Sequence, residues 1–405
     1  MLVVQKYGGK ILDGSDSSIK NVACNIARAR DEGCELVVVV SAQDEEKNKI
    51  IQRARTLNPS VKKRELDMML CCCEQMAASM TASALDGMGY PAISIAGWQY
   101  GVLTDSSHTN AKVKTVTAQR INEELDRDNI VVIAGHQGLN THNDITTLGK
   151  GGSDILAVAI AATLKADVCR IYTMRDGIYT ADPAIVLDAR RVESVSFDEM
   201  YELMTNEEIP IHIRALELAH KYFVNLELCS AFGTCGGTRI REMSEMEKKV
   251  VTGITKDSNI ARVSLIGVPD TPGIAFKIFS MLSQKNINVD IILQAMGRKN
   301  TQDITFTIAR DALEDAKHII EDNISILGAQ KLSLDTNVSK ISVIGAGMAQ
   351  NSGVAAKVFE AMFDADVNIE MISTSEIKIS MLVKTEDCEK AINAIHDKFM
   401  LHKIF

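Results

Sequence analysis

The stretch TTLGKGGSDILAVAIAATLKADVCRIYTMRDGIYTADP, Thr146 to Pro183, decides the fold. Gly149, Lys150, Gly151 and Gly152 lead through Ser153 and Asp154 into an apolar helical segment, and a β-branched run, CRIYT, follows. Glycines directly ahead of a helix let bare backbone N–H groups approach an anion at the helix N-terminus, where the macrodipole favours negative charge. The alternative is a tight loop that needs glycine for its shape alone. The spacing is neither G-x-x-x-x-G-K-[ST] nor G-x-G-x-x-G, so the stretch by itself leaves both readings open.

Working outward, LVVQKYGG (2–9), ELVVVVSA (35–42), IVVIAGHQG (130–138) and CRIYTMRDG (169–177) read as strands separated by helical patterns. Near-continuous β-branched runs alternating with helices predict a mostly parallel sheet covered on both faces. Ligands in such folds bind at the strand ends, and three of these runs end in KYGG, SA and GHQG. His136 and His212 read as structural.

The second half is duplicated. VSLIGVPDTPGIAFKIFSMLSQKNINVDIIL begins at Val263 and ISVIGAGMAQNSGVAAKVFEAMFDADVNIEMIS at Ile341, with Gly267 aligned on Gly345 and Asn288 on Asn368. Each copy reads strand, glycine turn, helix, strand, then a further strand (Asp303–Ile308 or Lys378–Val383) and a helix beginning near Asp311 or Asp387.

A chain of 405 residues predicts two or three domains. The net charge of −9 argues against nucleic acid or an anionic membrane as the main partner. No apolar run approaches the roughly 18 residues of a membrane helix, and MLVVQKYGGK has no export-signal pattern, so a cytoplasmic protein is expected. The nine cysteines show no metal or disulfide spacing and read as small buried thiols.

In order along the chain, QKYGG, RELDMML-x3-EQ, TLGKGGSD, DGIYTADP and the paired cores ending in STSEIKIS resemble the monofunctional aspartokinases over nearly the whole length. The resemblance implies an amino-acid-kinase-type three-layer α/β sandwich with a mostly parallel central sheet, followed by tandem ferredoxin-like ACT domains. The expected boundaries are 1–245 for the kinase domain, 246–335 for the first ACT region and 336–405 for the second, with interleaving allowed. The implied reaction moves the ATP γ-phosphate, with Mg2+, to the β-carboxylate of aspartate, under lysine or threonine feedback. Such chemistry needs positioning and charge neutralisation more than covalent catalysis.

Carried over residue by residue, Lys6 and Asp154 match the catalytic pair. Lys6, Tyr7, Gly8, Gly9, Ser41, Thr173, Met174, Tyr179, Thr180, Ala181, Asp182 and Pro183 match ATP-binding positions. Lys47, Glu74, Lys150, Gly151, Gly152 and Ser153 match substrate positions, and no residue set is assigned to a protein-bound metal. Asp270, Gly273, Ile274, Ala275, Asn288, Val289, Asp290 and Gln294 match effector positions of the first repeat. Val354, Ala355, Asn368, Ile369, Ser375 and Glu376 match those of the second. Asp270 reads as an ammonium ligand or, alternatively, as a helix cap.

The departures cluster at the substrate: Lys47 stands at a threonine position, Lys150 at an arginine, and Ile155 and Leu156 at two threonines. Lysine cannot reproduce a bidentate guanidinium–carboxylate pair. Two further readings therefore stand beside the aspartate kinase: an amino-acid-sensing paralogue with weak or no catalysis, and a kinase of a different amino or carboxylic acid. A homo-oligomer through the ACT domains is expected, and Met246 offers an internal start for a short companion subunit.

Overall fold

The computed structural model describes residues 1–9, 11–204, 211–232, 236–244, 249–296 and 300–403; Met246 lies outside them. The chain forms two compact units, Met1–Ile178 with Arg191–Ser244, and Tyr179–Arg190 with Glu245–Phe405. Among the described residues, no helix is long and apolar enough to cross a membrane.

The first unit is built on an eight-stranded sheet. Its order is Ser194–Val195, Thr238–Ile240, Leu226–Ser230, Val168–Thr173, Leu2–Tyr7, Glu35–Val40, Ile130–Ala134 and Ala92–Ile95. Every pairing is parallel except that of Thr238–Ile240 with Leu226–Ser230. Val3, Leu36, Val38 and Val132 pack beneath the helices Asp16–Asp31 and Lys63–Gly87, through Ala23, Ile26, Ala78 and Leu85. The alternate residues Val4, Val37, Val39, Val131 and Ile133 are equally buried, as a sheet covered on both faces requires. The helix Gly152–Leu164 packs against Leu2–Tyr7, Glu35–Val40 and Val168–Thr173, and is buried continuously from Gly152 to Ala161. An all-apolar helix of this kind belongs in a core.

Two sequence expectations change here. The run 130–138 is not one strand: it breaks after Ala134, and Gln137–Leu139 joins a separate sheet with Val113–Val116, Val102–Thr104 and Ile145–Thr147. The break follows from Gly135, where a Cβ would come within 2.6 Å of the Val40 carbonyl oxygen, and from His136 at φ +63°. Nor are the thiols uniformly buried. Cys24 and Cys72 are exposed, because successive helical residues turn about 100° and Cys72 cannot face inward with Cys71 and Cys73.

The second unit holds two four-stranded antiparallel sheets, ordered Val289–Met296, Thr301–Ala309, Ile260–Pro269, Lys331–Asp335 and Gly253–Asp257, Val338–Ile344, Lys378–Lys384, Met371–Thr374. The fourth strands come from different places. Lys331–Asp335 follows the first repeat and completes its own sheet, whereas Gly253–Asp257 precedes the first repeat and pairs into the second. Ala181 and Val186 sit in the core of that second sheet with Ile254, Ile341 and Val358. A small cluster of Ile260, Ile291, Val338, Met371 and Leu382 joins strands of both sheets.

Candidate active site

Lys6 ends the first strand with Tyr7, and Asp154 lies in the first turn of the helix Gly152–Leu164. Lys6 Nζ is 2.8 Å from Asp154 Oδ1, and the second carboxylate oxygen accepts the His212 N–H at 3.1 Å. His212 is the N-cap of the helix Ile213–Lys221, and its ring accepts from the Arg214 N–H. One carboxylate is thereby fixed between a cation and a backbone donor.

The glycines now have a steric account. Gly151 caps the helix at φ +74°, and a Cβ there would come within 2.2 Å of the His212 ring. At Gly152 a Cβ would meet His136 Nδ1 at 2.5 Å. Backbone is thus held where side chains cannot follow; the Gly152 N–H donates to the Gly149 carbonyl at 2.9 Å, and the next amides of the first turn, at Ser153 and Asp154, have no intrahelical acceptor.

That cavity, of about 700 Å³, is lined by Lys6, Gly9, Ser41, Lys47, Gly149, Lys150, Gly151, Gly152, Ser153 and Asp154, with Arg55, Lys63 and His136. Five Lys and Arg side chains face two carboxylates, Asp44 and Asp154. Burial with the nearby Lys47 charge pushes His136 down to about 3, so its imidazole is neutral at neutral pH.

Glu74 is fully buried beneath this cavity. Its carboxylate accepts from Ser41 Oγ at 3.0 Å and the Ala42 N–H at 2.9 Å, and pairs with Lys47 Nζ at 2.8 Å. Burial pushes its pKa up, and the Lys47 charge opposes that shift. Two residues expected to hold substrate are therefore held by each other.

Tyr7 leaves the expected nucleotide set. Its ring is buried, stacked on Tyr172 at 4.3 Å, and its carbonyl accepts the Ser41 N–H. Gly8 is tight against the same strand end, with a Cβ position 3.0 Å from Ser41 Cβ. Thr173 and Met174 lie at the carboxyl end of the neighbouring strand, where Thr173 Oγ1 donates to the Arg175 carbonyl and Met174 is exposed. Tyr179, Thr180, Ala181, Asp182 and Pro183 belong to the second unit. There Thr180 Oγ1 is bonded to His396 and the Arg190 N–H, Ala181 is buried, and Asp182 starts a turn by accepting from the Ala184 N–H.

The effector residues also fall in the second unit. Gly273 and Gly353, both at positive φ, cap the helices that begin at Ile274 and Val354, and no side chain caps either. The helix-cap reading of Asp270 is thereby overturned: the N-cap is Gly273, three residues on. Register separates the other first-repeat positions. Val289 and Ala261 both pair with Ile308, while Pro269 pairs with Thr301, so Asp270 and Asn288 stand at opposite ends of one sheet, roughly 30 Å apart at ~3.3 Å per residue. Gln294 lies nearer the Asp270 end, and Asp290 pairs with Lys340. In the second repeat, Ser375 and Glu376 form the hairpin turn beside the Ile344 end, whereas Asn368 and Ile369 precede the strand Met371–Thr374 at the other.

Sequence reasoning missed Arg55 and Lys63, which look like ordinary helical surface charges, and also Asp67. Fully buried, Asp67 receives the Thr109 N–H at 3.1 Å and Thr147 Oγ1 at 2.5 Å, and contacts His108 Nδ1 at 2.7 Å. It anchors two cavity-lining segments to the helix Lys63–Gly87. Its place inside RELDMML was the available signal.

Residues 1–227 match the amino acid kinase family, and residues 263–324 and 341–399 match the ACT domain. An aspartate kinase of Stutzerimonas stutzeri is 42% identical over 402 residues, covering 99% of this chain and 97% of that one. An aspartokinase of Bacillus sp. is 40% identical over 401 residues, covering 99% and 97%. Among solved structures, Clostridium acetobutylicum aspartate kinase superposes with a TM-score of 0.78 at 22% identity, covering 98% of this chain and all of that one. E. coli aspartokinase III with aspartate and ADP superposes at 0.72 and 20% identity, covering 99% and 100%. These last two similarities speak to fold alone.

Proposed function

Because the chain belongs to the aspartokinase family and is a phosphotransferase of the amino-acid-kinase type, we propose that it transfers the ATP γ-phosphoryl group to the β-carboxylate of L-aspartate, giving 4-phospho-L-aspartate. The observation that carries this reading is the Lys6–Asp154 pair at 2.8 Å, set at the N-terminus of a buried helix in a cation-lined cavity. A carboxylate nucleophile is already ionised at neutral pH and needs no general base. A neutral His136 at the cavity wall is consistent with that. Lys6, fixed by Asp154, neutralises charge on the transferring group, and the amides at Ser153 and Asp154 hold phosphate oxygens. Lys150, with Arg55 and Lys63, supplies the positive charge that holds substrate carboxylates. Mg2+ fits as a partner of the nucleotide, since the carboxylates of Asp154 and Asp44 line the same cavity; bound there with ATP, it would spread the charge of the phosphates.

Lysine or threonine is the proposed effector, bound by the ACT region. One ligand cannot bridge Asp270 and Asn288 of a single sheet, so a site using both needs a second copy of the chain, which favours a homo-oligomer.

A second reading of the substrate is favoured by one observation: Lys47 already satisfies the buried Glu74, the carboxylate that would receive a substrate ammonium. A coupled ATP-turnover assay with Mg2+ across aspartate, glutamate and succinate tests both. Turnover of aspartate abolished by Lys6→Ala supports the aspartate kinase. Turnover of succinate in preference to aspartate replaces it with the second reading.

A further inference from the structure

The C-terminal helix Cys388–Lys398 and the turn after it bring His396, Asp397 and His402 together. Among the described residues, one ligand nitrogen of each imidazole and a carboxylate oxygen of Asp397 all lie within 4.8 Å of one another. His396 is fully buried. Its Nε2 is 3.0 Å from Thr180 Oγ1, which also accepts the Arg190 N–H at 3.0 Å. Its Nδ1 is buried with no hydrogen-bond partner, and so is Nδ1 of His402. Two orphaned imidazole nitrogens in one buried place are costly unless something satisfies both. The rings do not do this for each other; their centroids stand 6.3 Å apart, tilted by 35°.

We propose that His396, Asp397 and His402 form a binding site for a zinc-class divalent cation. The donor set of two imidazoles and a carboxylate suits Zn2+, whereas Mg2+ and Ca2+ take oxygen ligands. Donation from His396 Nε2–H to Thr180 Oγ1 is the outer hydrogen bond that ligating histidines make, and it leaves the Nδ1 lone pair for the metal. Asp188 adds a second negative charge acting on His396. Bonds of 2.0–2.1 Å place tetrahedral ligand atoms about 3.3 Å apart, so small side-chain rotations close the present spacing. Thr180 lies in the segment Tyr179–Arg190, so the bound ion would tie that segment to the last helix of the second unit.

The test uses the full chain, stripped with a chelator and titrated with ZnCl2 by calorimetry in a Cys24→Ser, Cys72→Ser background that removes the thiols exposed among the described residues. One Zn2+ per chain is expected, with a rise in Tm and no competition from millimolar Mg2+. His402→Ala and Asp397→Ala should each weaken binding at least tenfold, with a metal-free Tm close to that of the parent showing that the fold is kept. Co2+ should give a visible absorption band in the parent that His402→Ala lacks. Stoichiometric Zn2+ binding unchanged by His402→Ala would overturn the proposal, and so would no saturable binding at all.

Discussion

Lys47→Met isolates the pair at the floor of the cavity. Glu74 has three partners, Lys47 at 2.8 Å, Ser41 at 3.0 Å and the Ala42 N–H at 2.9 Å, and its side chain is 0% exposed against 14% for Lys47. Methionine fills the volume of the lysine stem and leaves the carboxylate with two neutral donors. Removing one partner of a buried ion pair costs about 3–5 kcal/mol, and the slight exposure of Lys47 points to the lower end. For a unit of this size that is roughly 6–12 °C in Tm. An α-ammonium group would restore the missing charge, so aspartate should raise the Tm of Lys47→Met by more than that of the parent, and its KM for aspartate should fall. Scanning calorimetry of both proteins with and without saturating aspartate, together with initial rates, provides the measurement. A variant that unfolds within a degree of the parent would refute the energetic argument. A rise in KM would instead make Lys47 a direct ligand of the substrate.

Other outcomes follow from the same geometry. Lys6→Ala and Asp154→Ala should each lower kcat by 100-fold or more, about 3 kcal/mol of transition-state stabilisation, and near-parental turnover in either would remove the catalytic assignment. Lys150→Arg should raise kcat/KM for aspartate by returning a bidentate clamp at the cavity wall, whereas Ile155 and Leu156 are buried and do not line that cavity; unchanged rates would place the substrate elsewhere in the cavity. His136 is held neutral with its pKa depressed to about 3, so the stability this gives is complete above about pH 6.5 and drains away as pH falls toward 3. His136→Gln should flatten that acid limb in urea titrations. Asp270→Ala should abolish any Tm increase given by millimolar lysine or threonine without lowering the Tm of the free protein, since the carboxylate caps no helix.

The parallel sheet was legible because its strands are β-branched runs that nothing else explains, and the duplication because Gly267/Gly345 and Asn288/Asn368 fall in step. The meeting of Lys6 and Asp154 was legible only through the resemblance, since 148 positions separate them in the chain. Partner choice at a distance stayed hidden. Nothing in GITKD says that Gly253–Asp257 pairs with Val338–Ile344, because strand pattern encodes a buried face and not the identity of a neighbour. Arg55 and Lys63 gave no signal, being charges on helices where charges are ordinary. The Lys47–Glu74 pair escaped notice for the opposite reason: each residue looked like a ligand for something else.

The placement of Gly253–Asp257 makes the first ACT repeat an insertion inside the second. A ribosome delivers this edge strand before its partner exists, and the second sheet can close only after the whole intervening repeat has been made. Cutting the chain near Thr336 therefore yields no pair of clean halves, because the downstream piece lacks a border strand and presents Val338–Ile344 as a raw edge. The folded first repeat also acts as a clasp. By holding Ile260 and Asp335 on adjoining strands it shortens the tether between the border strand and its partner, which lowers the entropy lost on closure. A small molecule that stiffens the first repeat would then steady the second without touching it.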